Sequence, residues 1–180
     1  MASSEDLLEL THTAIVQAGT DAEGDVFRPG DWPTQDGQYP IIKLRLIGED
    51  RQSVSRSGPS QFTTITTIRI SAEVSAPAKL DDVGGSDAER KLWALKRQID
   101  GAIVNSYPLT QRIQQIASMR AQLAFNAESA THLAGIQIDL ALEHFEDADD
   151  FAQPPTGDLD EVDLTASHYP PTGFVANLQR

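Results

Sequence analysis

Cysteine is absent from the 180 residues. That excludes a disulfide scaffold, a thiolate zinc site and a cysteine nucleophile, and it leaves the redox compartment open. Basic residues are scarce: 14 Lys and Arg stand against 27 Asp and Glu, a formal net charge of −13. Non-specific affinity for nucleic acid comes from Lys and Arg neutralising phosphates, so this chain is expected to repel DNA on average. No apolar run approaches the ~20 residues that span a bilayer. The opening Met1-Ala-Ser-Ser-Glu-Asp6 is acidic and does not read as a signal peptide, so the expectation is a soluble product made in the cytoplasm, with no membrane partner.

Catalytic signatures are also missing. Gly-x-Ser-x-Gly does not occur. Gly84-Gly85-Ser86 lacks the Lys-Ser/Thr of a phosphate loop and reads as a helix cap, not an anion cradle. His12, His132, His144 and His168 lie outside metal-ligand spacing of one another, and each reads as a surface or boundary residue. The acids Glu143, Glu146, Asp147, Asp149 and Asp150 offer oxygen ligands around His144. They lack the glycine turn and late bidentate Glu of a calcium loop, so a solvated run is the better reading. No catalytic, metal or cofactor residue is assigned, and no enzyme is expected.

What is present is an ordinary core composition, 39% hydrophobic, in a length near the ~150 residues of a single domain. Leu7, Leu10, Ala14, Ile15 and Ala18 make one helical face behind Ser3, Ser4, Glu5 and Asp6, with Gly19 as its stop. Thr20 to Pro40 is a connector that Phe27 and Trp32 pin to the body. Ile41 to Ile47 alternates as a strand, and Asp50 to Ser60, with Gly58 and Pro59, reads as a long mobile hairpin loop. In Phe62 to Val74 the set Ile68, Ile70, Ala72 and Val74 alternates while Ile65 falls out of phase, which predicts a bulge near Thr66 and Thr67. Ser86-Asp-Ala-Glu89 predicts a capping box for a helix through Leu92, Leu95, Ile99 and Ile103, ending before Tyr107-Pro108. One further turn follows around Leu109. Two more alternating runs, Ala117 to Phe125 and Ile136 to Leu142, make the clearest strand pair.

The composition changes at Glu146. The last 35 residues carry eight acids and one base, or −7 of the total charge, with few large apolar residues. This predicts two parts: an α+β core over residues 1–145 and an extended acidic arm over 146–180. The core is two antiparallel hairpins in a roughly four-stranded sheet, with two helices on one face. The arm has too little apolar surface to fold alone. Phe151, Tyr169, Phe174 and Leu178 are its anchors, Pro154-Pro155 and Pro170-Pro171 stiffen it, and it is expected to lie across a neighbouring subunit or partner.

Two features point to assembly. The stretch Phe62, Thr64, Ile65, Thr66 and Thr67 has neither face clearly apolar, which suits a strand pairing with a neighbouring subunit; an edge strand protected by its threonines is the alternative. Arg51 and Arg56, with Ser53 and Ser57, stand in a polar loop of an acidic chain, either for solubility or for docking to an acidic surface. The element order, the strand Gln38-Tyr-Pro-Ile-Ile-Lys-Leu-Arg-Leu46, the strand Thr67-Ile-Arg-Ile-Ser-Ala-Glu-Val74 with its exit Ala76-Pro77-Ala78, the helix Ser86 to Asn105 with Leu109-Thr-Gln-Arg-Ile113, and Ala134-Gly-Ile-Gln-Ile-Asp-Leu-Ala-Leu142 together resemble the tail terminator proteins of long-tailed bacteriophages. The resemblance covers roughly residues 4–145. It implies a virion structural protein of the tail and neck: a homohexameric ring that caps the tail tube, stops its growth and offers a docking surface to the head-to-tail connector. Arg51, Ser53, Arg56 and Ser57 are then expected on the tube or an adjacent subunit. DNA passes through the channel without specific binding, and a sheath protein is a further candidate partner for the arm. The alternatives are another neck or head-completion protein and, from a different class, a small α+β enzyme or ligand-binding module.

Overall fold

The computed structural model describes residues 3–28, 33–35, 37–54, 56–77, 83–128, 131–152, 161–164 and 174–177. The chain forms two compact units, Met1–Asp150 and Phe151–Arg180. The first is α+β. In chain order it holds α1 (Ser4–Gln17), β1 (Val26–Phe27), β2 (Ile41–Ser53), β3 (Gln61–Pro77), α2 (Val83–Val104), α3 (Tyr107–Thr110), β4 (Gln115–Glu128) and β5 (Thr131–Asp147). A 3-10 turn at Ala148–Phe151 follows. The second unit contributes β6 (Glu161–Leu164) and β7 (Phe174–Asn177), which pair antiparallel.

The sheet is five-stranded and mixed, in the order β1-β2-β3-β5-β4. The expected hairpins β2–β3 and β4–β5 are present, and β3 and β5 join them along their whole length, Gln61↔Asp147 to Pro77↔Thr131. The four-stranded expectation missed β1, which adds only Val26 and Phe27 parallel to Ile42 and Lys43. Two residues offer no periodicity to read.

Helices cover one face. Leu7 and Ile15 of α1, Leu92, Leu95, Ile99 and Ile103 of α2, and Leu109 of α3 are fully buried over Ile42, Leu44, Ile68, Ile70, Ile138 and Leu140. Strand alternation supplies one apolar face and helical three-and-four spacing supplies the matching stripe. The Ser3 hydroxyl accepts from the Asp6 amide, and the Asp6 carboxylate accepts from the Ser3 amide and hydroxyl, so α1 begins on a capping box. Gly19, with φ +63°, takes the left-handed position after it. α2 starts differently from expectation: it begins at Val83, and Ser86 is an exposed residue inside it. Gly84 is buried in that first turn.

Two further expectations are corrected. β2 continues through Asp50 to Ser53, where the sequence suggested a loop, because β3 offers Phe62 to Ile65 as partners. The strands of the hairpin therefore extend further than apolar alternation alone suggests. The bulge is also elsewhere. β3 runs unbroken, with Thr64 and Thr66 buried in phase with Ile68 and Ile70 while Ile65 takes the opposite face. The extra residues are Ile47 on β2, between Leu46↔Ile68 and Gly48↔Thr67, and Ala117 on β4, between Ile116↔Leu142 and Ser118↔Ala141. β2 and β4, on either side of the β3–β5 pair, thus each carry a bulge near the level of Thr67.

Candidate functional site

β3 is an interior strand. Phe62 to Thr67 bonds to Gly48–Ser53 on one side and to Ala141–Glu146 on the other. Pairing of this stretch with a neighbouring subunit is therefore corrected: both of its backbone edges are already used within the chain. Thr64 and Thr66 point into the molecule instead. The Thr66 and Ser4 hydroxyls lie 2.6 Å apart, tying α1 to the sheet, and Thr64 Oγ1 donates to Glu146 Oε2.

Glu146 is the centre of a buried polar cluster at this end of the sheet. Arg51 Nε donates to its Oε2 at 2.7 Å, and Arg51 Nη1 also meets Glu49 at 2.9 Å. Burial alone would raise the Glu146 carboxyl, but the Arg51 guanidinium and the Thr64 hydroxyl outweigh it and hold the group below its ordinary range. The same carboxylate holds the Arg51 guanidinium above its ordinary value. His144 lies beside them at 1% exposure, its Nε2 3.8 Å from Glu146 Oε1 and neither ring nitrogen hydrogen-bonded among the described residues. Two expectations change here. Arg51 is not a free loop residue, and His144 belongs to the interior instead of the surface. The signal was in the strand period, which carries Leu140 and Leu142 on to His144 and Glu146 on the same face. Among the described residues no three His, Asp or Glu side chains group as a metal site.

The remaining loop residues Arg56 and Ser57 are exposed beside Gly58, whose φ is +94°; Ser53 closes β2 opposite Phe62. Of the expected arm anchors, Phe151 ends the 3-10 turn half-exposed and Phe174 opens β7. Tyr169 and Leu178 lie outside the described residues, as does Trp32 of the connector.

The face of the sheet away from the helices carries a row of charge that sequence reasoning did not assemble. Arg45 of β2, Arg69 of β3, Asp139 of β5 and Arg120 of β4 are successive register partners. Arg69 grips Asp139 with both ends of its fork, Nε at 2.8 Å and Nη2 at 3.0 Å, and this holds the Asp139 carboxyl below its usual value. Lys43 stands in the next row and donates to Thr34 Oγ1, which in turn donates to Glu73. A hollow of about 400 Å³ opens among Lys43, Arg45, Leu46, Ile47, Arg69 and Ser71. A smaller one, about 210 Å³, lies by Tyr39, Phe125 and Gly135, and its single carboxylate, Glu73, is already engaged by Thr34.

The sheet ends on unequal edges. β1 covers only Ile42 and Lys43 of β2, and β4 has β5 on one side and no strand on the other among the described residues. β4 is 14 residues long, and Ala117, Ala121, Ala124 and Phe125 along it are exposed. No protein-family model matches this chain, and no curated protein matches it. Among the described residues no helix is long and apolar enough to cross a membrane.

Proposed function

We propose that this chain is a structural assembly protein whose copies close into a ring, and that the ring caps a bacteriophage tail tube and receives the head-to-tail connector. The observation that carries the ring is the pair of sheet edges that are open among the described residues: the whole outer side of β4, and the length of β2 beyond Lys43 that β1 leaves uncovered. A long strand edge with few charges, as on β4, is a template for pairing. β4 of one copy meeting β2 of the next is a head-to-tail contact, which closes when its rotation divides a full turn. In this reading the subunit boundary lies on β4 and β2 instead of on Phe62 to Thr67. Arg56 and Ser57, exposed at the β2–β3 turn, remain the residues for contact with the tube; Arg51 does not, because Glu146 and Glu49 hold it.

The place in the tail and the hexameric count rest on the resemblance of residues 4–145 to tail terminators. An acidic balance suits that place, since carboxylates facing a channel keep passing DNA from adhering. The test is the particle itself. Mass in solution together with negative-stain images should show six-fold rings with a channel wide enough for duplex DNA, and added rings should shorten tail tubes polymerised in vitro. A chain that stays monomeric at every concentration overturns the reading.

A further inference from the structure

One row on the helix-free face of the sheet carries an excess of positive charge, unlike the chain as a whole. Three arginines and one aspartate cross four strands in one row, Arg45, Arg69, Asp139 and Arg120, in a chain of net charge −13. Arg69 and Asp139 satisfy each other. Arg45 and Arg120 flank that pair; neither forms a hydrogen bond among the described residues, and the charge of Arg120 also helps to lower the Asp139 carboxyl. Beside Arg45 the hollow is cationic at Lys43, Arg45 and Arg69 and apolar at Leu46 and Ile47, the latter 40% exposed. Such a surface suits a segment that mixes acids with aliphatic side chains.

The chain itself contains one. Asp158-Leu-Asp-Glu-Val-Asp-Leu164 has four acids and three aliphatic residues in seven positions, and Glu161–Leu164 of it is β6. The only strand that β6 meets among the described residues is β7, also four residues long. A two-stranded hairpin is marginal in water by itself and needs a surface to lie on. Reach also fits. Strands lie about 4.8 Å apart, so Arg45 and Arg120 are about 14 Å apart across the sheet, and five steps of extended chain, the separation of 158 from 163 in sequence, reach about 16 Å at about 3.3 Å per residue.

We infer that the acidic run 158–164 of one copy docks on the Arg45–Arg69–Arg120 face of a neighbouring copy. This rests on the ring reading and names the partner surface of the arm. The acidic run neutralises the excess cations of the row, while its aliphatic residues meet the exposed Ile47.

The experiment uses the full chain, with mass in solution and hydrogen exchange over 158–164 read from the same samples. In the wild type those amides should be protected at concentrations that assemble and exposed on dilution to monomer. Arg45→Glu with Arg120→Glu should lower the protection about tenfold, the scale of a few exposed ion pairs. Raising salt should do the same, as screening requires. Neutralising the arm with Asp158→Asn, Asp160→Asn, Glu161→Gln and Asp163→Asn should reproduce the loss. Mixing the face-reversed chain with the arm-neutralised chain should restore protection on the former's intact arm. Unchanged protection after face reversal, or equal protection in a dilute monomer, overturns the inference. Rings whose arms ignore the substitutions leave the ring reading standing alone. Small oligomers that depend on Arg45 and Arg120 without rings leave the docking standing alone. A wild type that is monomeric throughout removes both.

Discussion

Glu146 shows how a single position on a strand can change meaning between sequence and structure. In the sequence it opens an acidic run; in the fold it is a buried carboxylate with Arg51 and Thr64 donating to it. Its folded pKa is depressed, so its contribution to stability is present above the ordinary carboxylate range and is lost as pH falls through the folded value. Glu146→Gln should therefore flatten the acid limb of the stability profile and cost about 2 kcal/mol near neutrality, the scale of a hydrogen bond to a charged group. Urea unfolding at a series of pH values checks both parts; an acid limb identical to that of the wild type contradicts the assignment. His144 predicts the opposite sign. Its ring nitrogens are buried without hydrogen-bond partners among the described residues. Removing an unsatisfied polar group from the interior relieves its desolvation cost. His144→Leu should be neutral or stabilising by about 1 kcal/mol, since two ring atoms without hydrogen bonds among the described residues leave with the imidazole. A loss as large as that of Glu146→Gln would show that the imidazole works with the carboxylate.

At the scale of elements, legibility followed apolar periodicity. The alternation Ile68 to Val74 and Ile136 to Leu142 located β3 and β5, the Ser3–Asp6 box and Gly19 bracketed α1, and Leu109 marked the turn that is α3. Polar extensions of the same strands were harder to read. Asp50 to Ser53 pairs because β3 continues opposite it, and Thr64 and Thr66 are buried because Ser4 and Glu146 satisfy their hydroxyls. Those are long-range contacts, and a local window does not contain them. The candidate boundary shifted for the same reason. Thr64→Pro now has a different expected outcome from an edge-strand substitution: it removes a donor from an interior strand and should destabilise the fold itself by about 3 kcal/mol or more. Lysines on β4 test the boundary without that cost. Ala121→Lys and Ala124→Lys fall on exposed positions of the open edge, so circular dichroism and melting temperature should stay near the wild type. Association measured by sedimentation should be lost. If the lysine chain assembles as well as its parent, β4 is not the boundary.

For the whole molecule, the division between core and arm has physical content because it moves with Glu146. The change of composition at residue 146 suggested an end to the core at Phe145. The compact unit instead runs to Asp150, because β5 continues through Glu146 and Asp147 and the 3-10 turn begins only at Ala148. Five residues separate the two boundaries, and they differ in what they leave behind. A chain ending at Phe145 deletes the carboxylate that holds Arg51 and Thr64, and it unpairs Phe62 and Gln61 of β3 from their partners on β5. A chain ending at Asp150 keeps all of these and removes only the second unit. The longer truncation product should unfold at the same urea midpoint as the full chain. The shorter one should lose about 2 kcal/mol or more, since a buried charged hydrogen bond goes together with the end of a strand ladder. Both lack the acidic run 158–164, so both should lose arm docking. A stability difference between them then reports Glu146 and its strand, with the arm absent from both. Equal urea midpoints for the two truncated chains would show that the cluster at Glu146 contributes nothing to holding the end of the sheet.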